Sequence, residues 1–241
     1  MSSKLYYFVA MTVLAARPRI RDADRSRAAI LAAAEALFAE RGFEAVSLQE
    51  IGDAAGLSRG TPNYFFGSKQ ELYVAVLERV FADREEATAH AFAPVRAWCE
   101  SQRAGSLRRP LSRAIESYMS FLLARPAFVR LIVREELRGG EGLRRAQRES
   151  TAMREALAAV RAIARKRSLR SFDVDDAVLV LVSLTFSPLS QQSTFMAALG
   201  RDLRDATVRG QHIRLVVGQM LQLLGAPNRG QDSRVKHREE L

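Results

Sequence analysis

Residues 60–73 read "GTPNYFFGSKQELY". A Gly, a Pro and an Asn stand beside three consecutive aromatics, and a Ser-Lys pair then opens a long amphipathic run. Pro and Asn disfavour the interior of a helix or strand, so the stretch marks junctions between elements. Ser68 and Glu71, three residues apart, predict a capping box that launches a helix. Just upstream, "SLQEIGDAAG" uses the same device: Ser47 precedes Glu50 by three, with Val46 and Ile51 spaced for the accompanying hydrophobic staple. Gly56 suits the left-handed residue that ends this helix after about two turns. Ser58 is then placed to cap a third short helix, "RGTPNYF", with Pro62 within or just after its first turn, where a missing N–H costs least.

Before these two short helices lies a longer one. "DRSRAAILAAAEALFAERG" puts Ile30, Ala34, Leu37 and Phe38 on one face and Glu35, Glu40 and Arg41 opposite, with Asp24 or Ser26 as cap and Gly42 as terminator. A stabilising helix followed by two short helices around a Gly56-Leu57-Ser58 turn is a helix-turn-helix. Gly52 and Ala55 allow a close crossing, and Phe38, Ile51 and Leu57 supply a miniature core. In this arrangement the second short helix enters the major groove and its N-terminal side chains meet base edges. Gly60 would let the backbone approach DNA, with Thr61 and Asn63 offering short polar groups. One or more of Tyr64, Phe65 and Phe66 would pack back onto the first and fourth helices. Ser68 and Lys69 would meet a phosphate at the start of the fourth helix.

From about Ser26 to Leu77 the chain resembles the tetracycline-repressor (TetR) family of bacterial transcriptional regulators. The family pattern runs from an apolar helix ending in "F…G", through "IA…AGVS", to "GTLYYYF" and "SKE"; here it reads "FAERGFEAVSLQEIGDAAGLSRGTPNYFFGSKQEL". The resemblance implies an all-α fold, in which an N-terminal three-helix DNA-binding domain is joined by a long helix to an all-α ligand-binding and dimerisation domain. It also implies that Gln49, Arg59, Gly60, Thr61, Asn63 and Lys69 stand where family members touch DNA. Pro62 replaces the usual Leu, and Asn63 replaces a Tyr that commonly contacts the backbone, although an Asn is suited to adenine.

Composition agrees with a DNA-binding role. The 241 residues include 37 Lys plus Arg against 27 Asp plus Glu, a formal net charge of +10 that favours nucleic acid or anionic ligands. One cysteine, Cys99, cannot form an intrachain disulfide, which suits a reducing, cytoplasmic compartment. Three histidines and that cysteine provide no metal-ligand spacing, and no phosphate-binding loop, dinucleotide fingerprint or nucleophile motif occurs, so neither metal nor cofactor is expected. The apolar run from Leu5 to Ala16 loosely mimics a signal peptide but is too short to span a bilayer as a helix; it reads as a leader, with Met11 as an alternative start. "RPRIRDADRSR" then carries five arginines against two aspartates, an arm suited to a DNA backbone or minor groove and equally to solvent.

The expected organisation is a flexible basic arm over 1–22, a helix-turn-helix domain over 23–71, a helical effector-binding and dimerisation domain over 72–225, and a disordered polar tail over 226–241. Beyond residue 72 the periodicity predicts helices over 68–92, 94–104, 107–124, 126–138, 141–168, 173–187, 189–200 and 203–224, with breaks at prolines and glycines. The helices at 173–187 and 203–224 are apolar around much of their circumference and are the expected homodimer interface, as the last two long helices commonly are in the family. Trp98, Tyr118, Phe121, Phe128, Met153 and Phe186, with Phe195 and Met196 nearby in sequence, are candidates to line an effector pocket. The arginines between 144 and 167 suit an anionic effector or a solvated surface. The sequence therefore points to a homodimeric, ligand-responsive repressor on a palindromic operator. The alternative is an all-α enzyme or adaptor whose helix-turn-helix is purely structural.

Overall fold

A computed structural model describes residues 3–101, 105–146, 151–165 and 172–225, with side chains omitted over 3–21 and 151–156. The expected tail over 226–241 lies outside the described residues. The described residues form ten α-helices and one π-helical turn: α1 Ser3–Arg41, α2 Leu48–Ala54, α3 Thr61–Phe66, α4 Lys69–Glu100, α5 Arg108–Ala124, α6 Pro126–Leu137, α7 Glu141–Ala146, α8 Thr151–Ala164, α9 Val174–Ser190, the π turn Gln192–Met196, and α10 Ala206–Leu223. The fold is all-α, as expected.

Several boundaries differ from expectation. The segment expected as an irregular arm is the beginning of α1, which runs unbroken from Ser3. Helix α4 continues through Pro94, where a break was expected. Phe92 and Val95, on either side, are buried in the core, and that burial offsets the ~3 kcal/mol cost of an interior proline. The span expected as one helix over 141–168 contains α7 and α8, and its residues 147–150 and 166–168 lie outside the described residues. In place of a helix over 189–200 the chain makes the π turn and then breaks at Gly200. Helix α10 begins three residues later than expected because Asp205 caps it, accepting from the Thr207 and Val208 amides at 2.8 and 2.9 Å.

By contacts, the chain divides into two compact units, Met1–Arg79 with Arg130–Gln147, and Val80–Val129 with Arg148–Leu241. Residues 130–147, expected in the second domain, thus group with the first unit. The reason lies in side chains of α6. Arg134 donates through Nε to the Ala39 carbonyl at 3.0 Å and also reaches the Glu40 carbonyl. Glu135 is fully buried, accepting from the Tyr73 hydroxyl at 2.6 Å, the Leu143 amide at 3.0 Å and Arg138 at 3.1 Å. Gly142 makes this junction possible: a Cβ there would lie 2.7 Å from a Tyr73 ring carbon and 2.9 Å from both Glu135 carboxylate oxygens. Burial, followed by the Glu135 hydrogen bond, pushes the Tyr73 phenol well above its usual range.

The core of the first unit is built from Ile30, Ala34 and Phe38 of α1, Val46 and Ile51 around the start of α2, Phe66 of α3, and Leu72, Tyr73, Val76 and Leu77 of α4. Phe38 and Tyr73 meet edge to face at 5.0 Å. Glu35, expected on the solvent face of α1, is instead buried and paired with Arg79 of α4. The second unit packs α5, α8, α9 and α10 with the C-terminal half of α4 around Val95, Leu111, Ile115, Met119, Ile163, Leu181, Val216 and Met220.

Candidate nucleic-acid interface

The turn between α2 and α3 is set by local chemistry. Ser47 caps α2 in a reciprocal box with Glu50, and Val46 and Ile51 are both buried as the staple requires. Gly42 and Gly56 adopt φ of +84° and +68°, the left-handed conformation that ends α1 and α2. At Gly52 a Cβ would stand 3.2 Å from the Ser58 carbonyl and 3.4 Å from Pro62 Cδ, so the absence of a side chain lets α3 cross α2 closely.

Helix α3 starts later than expected. Its N-cap is Gly60 rather than Ser58, and Thr61 and Pro62 are its first two residues. A start capped by Ser58 would place Pro62 where its N–H must bond the Ser58 carbonyl, and proline has none. Ser58 instead holds the turn, its carbonyl accepting from the Thr61 amide at 2.9 Å and its hydroxyl 2.6 Å from the Thr61 hydroxyl. Arg59 consequently sits in the turn before α3, not in its first turn.

Two of the sequence-predicted residues, Gln49 and Arg59, come together on an exposed patch. Arg59 is exposed, with Nε 3.6 Å from Asp53 Oδ1, and the Gln49 amide oxygen, turned toward it, accepts from that nitrogen at 2.9 Å. Asn63 is exposed in the first turn of α3, while Thr61 is half-buried. The residue overlooked in the sequence is Tyr64. One or more of the three aromatics is expected to pack inward, and Tyr64 does not: it is 84% exposed, its ring edge-on to Phe65 at 5.3 Å. Phe66 is the aromatic that turns inward, with the Arg27 guanidinium 4.6 Å over its ring. The signal was available: on a helix this short, two consecutive aromatics cannot share one face with Phe66.

Lys69 is engaged differently. As the first residue of α4 it aims Nζ at the loop between α1 and α2, donating to the Phe43 carbonyl at 3.0 Å and lying 4.4 Å over the Phe43 ring. Behind it, the Ser68 hydroxyl accepts from the Glu71 amide at 3.1 Å and donates to the Glu71 carboxylate at 2.9 Å, while the Ser68 amide bonds Phe66. The second capping box is thus half of the reciprocal motif.

The Ser47 amide, the Arg41 guanidinium and the Ser47 hydroxyl hold the Glu50 carboxyl down to about 2, against an ordinary 4.5. A depressed carboxyl contributes stability that is fully present above about 4.5 and is lost as pH falls toward about 2. Glu50→Gln should therefore flatten that part of the acid-unfolding profile, followed by thermal melts across this window. An unchanged profile would show that the box does not couple Glu50 to folding.

Among the effector candidates, Tyr118, Phe121 and Phe128 come together, with Tyr118 stacked on Phe121 at 6.3 Å and Phe121 tilted on Phe128 at 6.0 Å. Trp98 donates to the Gly105 carbonyl at 3.0 Å, and Phe186 is half-buried on α9 outside these ring contacts. The Met153 side chain lies outside the described residues. Among the described residues no group of His, Cys, Asp and Glu is arranged to hold a metal ion, and no helix is long and apolar enough to cross a membrane.

Residues 30–76 match the model of bacterial regulatory proteins of the tetR family, and residues 108–219 match a tetracyclin repressor-like C-terminal domain. The HTH-type transcriptional repressor NicS of Pseudomonas putida is 26% identical over 203 residues, covering 82% of this chain and 92% of that protein. The HTH-type transcriptional activator FasR of Mycolicibacterium smegmatis is 45% identical over 56 residues, 23% of this chain and 26% of its own. A TetR family transcription regulator from Marinobacter aquaeolei shares the fold, with a TM-score of 0.62 at 24% identity over 87% of this chain and 100% of that one.

Proposed function

This chain belongs to the tetracycline-repressor family of bacterial regulatory proteins and is a helix-turn-helix DNA-binding transcriptional regulator; from that premise we propose that it acts in the cytoplasm as a homodimeric repressor, released from a two-fold operator by a small molecule. The observation that carries the dimer is the apolar surface left on the last two helices. Leu179 of α9 is 64% exposed and Leu215 of α10 is 52% exposed, with Val182 and Leu223 also exposed. On α10, Leu215 and Leu223 are interspersed with the exposed, uncharged Gln211, Gln219 and Gln222, and Arg214 is the one exposed charged side chain of that helix. A surface rich in large apolar groups and poor in charge matches the centre of a subunit interface. A two-fold operator needs two reading heads, and pairing through α9 and α10 would supply the second.

Within each head, Gln49, Arg59, Gly60, Thr61 and Asn63 are proposed to face the major groove. Tyr64 joins them as a residue suited to thymine methyl or sugar contacts. Arg59→Ala should cost about 1–3 kcal/mol on operator and relax preference at one base pair, while random DNA loses much less. Lys69 is proposed as a phosphate contact, so Lys69→Ala should weaken all duplexes alike and make the salt slope shallower by about one unit. Because Lys69 also holds the Phe43 carbonyl, a small loss of thermal stability should accompany it. Binding isotherms on operator and scrambled duplexes at two salt concentrations separate these roles. Equal losses for Arg59→Ala on both duplexes would reduce Arg59 to backbone contact.

Ligand response is proposed to act through α4. This helix supplies Lys69 at its N-terminus and core residues of the second unit at its C-terminal half without interruption. A ligand that shifts α4 would misplace the reading head, and coupling of ~1–3 kcal/mol would lower operator affinity several-fold to about a hundredfold.

A further inference from the structure

We infer that Asp53 sets the base specificity of the reading head by holding the Arg59 guanidinium for one guanine and away from the phosphates. The inference deepens the proposed reading of Arg59 as a base contact and rests on it. Gln49 and Asp53 are four residues apart on α2, so both side chains stand on one exposed face of that helix. Arg59, from the turn before α3, reaches back over this face. Its Nε lies 3.6 Å from Asp53 Oδ1 and donates to the Gln49 amide oxygen at 2.9 Å, and Nη1 reaches the same oxygen. Nη2 has no partner among the described residues, and the Arg59 side chain is 70% exposed.

Folding does not explain a carboxylate at this position. Asp53 lies in the last turn of α2, where the helix dipole disfavours negative charge, and Asp is a poor helix former. It is exposed, adds nothing to the core, and an exposed ion pair at this distance contributes little to stability. On the patch proposed to face DNA it also repels phosphate. Its effect on Arg59 is what offsets these costs. An exposed arginine without a counter-charge neutralises whichever phosphate is nearest, on any sequence. Engaged by Asp53 and Gln49, the guanidinium keeps one orientation and loses less freedom when it meets a base. The acceptor oxygen of Gln49 is occupied by Arg59, so toward DNA Gln49 offers only N–H donors. Together with Arg59 Nη2 the cluster presents donors alone. Guanine is the base whose major-groove edge offers two acceptors, N7 and O6; adenine and cytosine carry an amino group there, and thymine a methyl.

The test selects duplexes from a randomised pool with the full chain, sequences them, and repeats the selection with Asp53→Asn, Arg59→Ala and both together. Affinities for a parent-selected duplex and a scrambled one are then measured at several salt concentrations. Arg59→Ala should erase preference for one guanine per half-site. Asp53→Asn should weaken preference for the same guanine and lower the selected-to-scrambled ratio about three- to tenfold, a part of what one bidentate base contact provides. The released Arg59 should then neutralise a phosphate, steepening the salt slope on scrambled DNA by about one unit. With Arg59→Ala already in place, Asp53→Asn should change no base preference further. In the free protein, NMR should show the Arg59 Nε–H exchanging with water faster in Asp53→Asn than in the parent. Circular dichroism checks that each variant folds, and Asp53→Ser takes the place of Asp53→Asn if that one does not. An unchanged guanine preference in Asp53→Asn, while Arg59→Ala erases it, overturns the inference and leaves Arg59 a base contact. A base preference that Asp53→Asn alters in the absence of Arg59 also overturns it, because Asp53 would then touch DNA by itself. No loss of any base preference in Arg59→Ala removes the base-reading proposal, and this inference with it.

Discussion

Leu179→Glu combined with Leu215→Glu should yield a monomer that loses operator affinity by about a hundredfold to ten-thousandfold. Both side chains are exposed in the single chain, so the substitutions remove nothing from its core. Placed in a self-paired interface, each glutamate would meet its own copy or an apolar neighbour, and a buried unpaired carboxylate is strongly disfavoured. Without pairing, the two heads no longer share an effective concentration on one operator, and avidity gains of ~10²–10⁴ disappear. Sedimentation velocity gives the mass, and a mobility shift gives the affinity. Helical content and melting should stay near those of the parent at equal protein concentration, apart from stability that pairing itself supplied. A double variant that remains dimeric would move the interface away from α9 and α10.

Glu135→Ala should destabilise the first unit by about 3–5 kcal/mol, the usual cost of removing one partner from a buried ionic network. The carboxylate is fully buried and receives the Tyr73 hydroxyl, the Leu143 amide and Arg138. Its removal leaves three donors facing a void. Arg138 also lies 4.5 Å over the Phe43 ring and 3.7 Å from Glu44, so the loop between α1 and α2 should loosen with it. Hydrogen exchange should rise at residues 39–46 and 130–146. Gly142→Ala attacks the same junction from the other side, where a Cβ would collide with Tyr73 and Glu135. A Glu135→Ala protein with unchanged melting and exchange would show that the network contributes nothing net.

The helix-turn-helix was legible because its signals are local. Ser47 and Glu50 are three apart, Gly56 takes a positive φ, and Val46 and Ile51 meet across one turn. The start of α3 was misplaced because a good capping residue at Ser58 competed with the missing N–H of Pro62, and the proline prevailed. Three adjacent aromatics leave open which of them packs inward until helix geometry is applied to each; Phe66 does and Tyr64 does not. Long-range features were not legible. Nothing in the periodicity of α6 shows that Arg134 and Glu135 bind carbonyls and a tyrosine more than sixty positions away. Pro94 reads as a break in isolation, whereas burial of Phe92 and Val95 carries α4 past it. The aromatic cluster at Tyr118, Phe121 and Phe128 was visible by residue type, but its cation, Arg84, belongs to a different helix and only the fold joins them.

The central claim is that two copies of this chain read one two-fold DNA site through α3. The most direct measurement is footprinting, with sedimentation of the complex, on duplexes from the DNA flanking its own gene at several salt concentrations. The expected result is salt-sensitive binding with two chains per duplex and two protected half-sites about one helical turn, ~34–36 Å, apart. Binding that protects no sequence in preference to any other, or no binding at all while the protein is folded, would contradict the account.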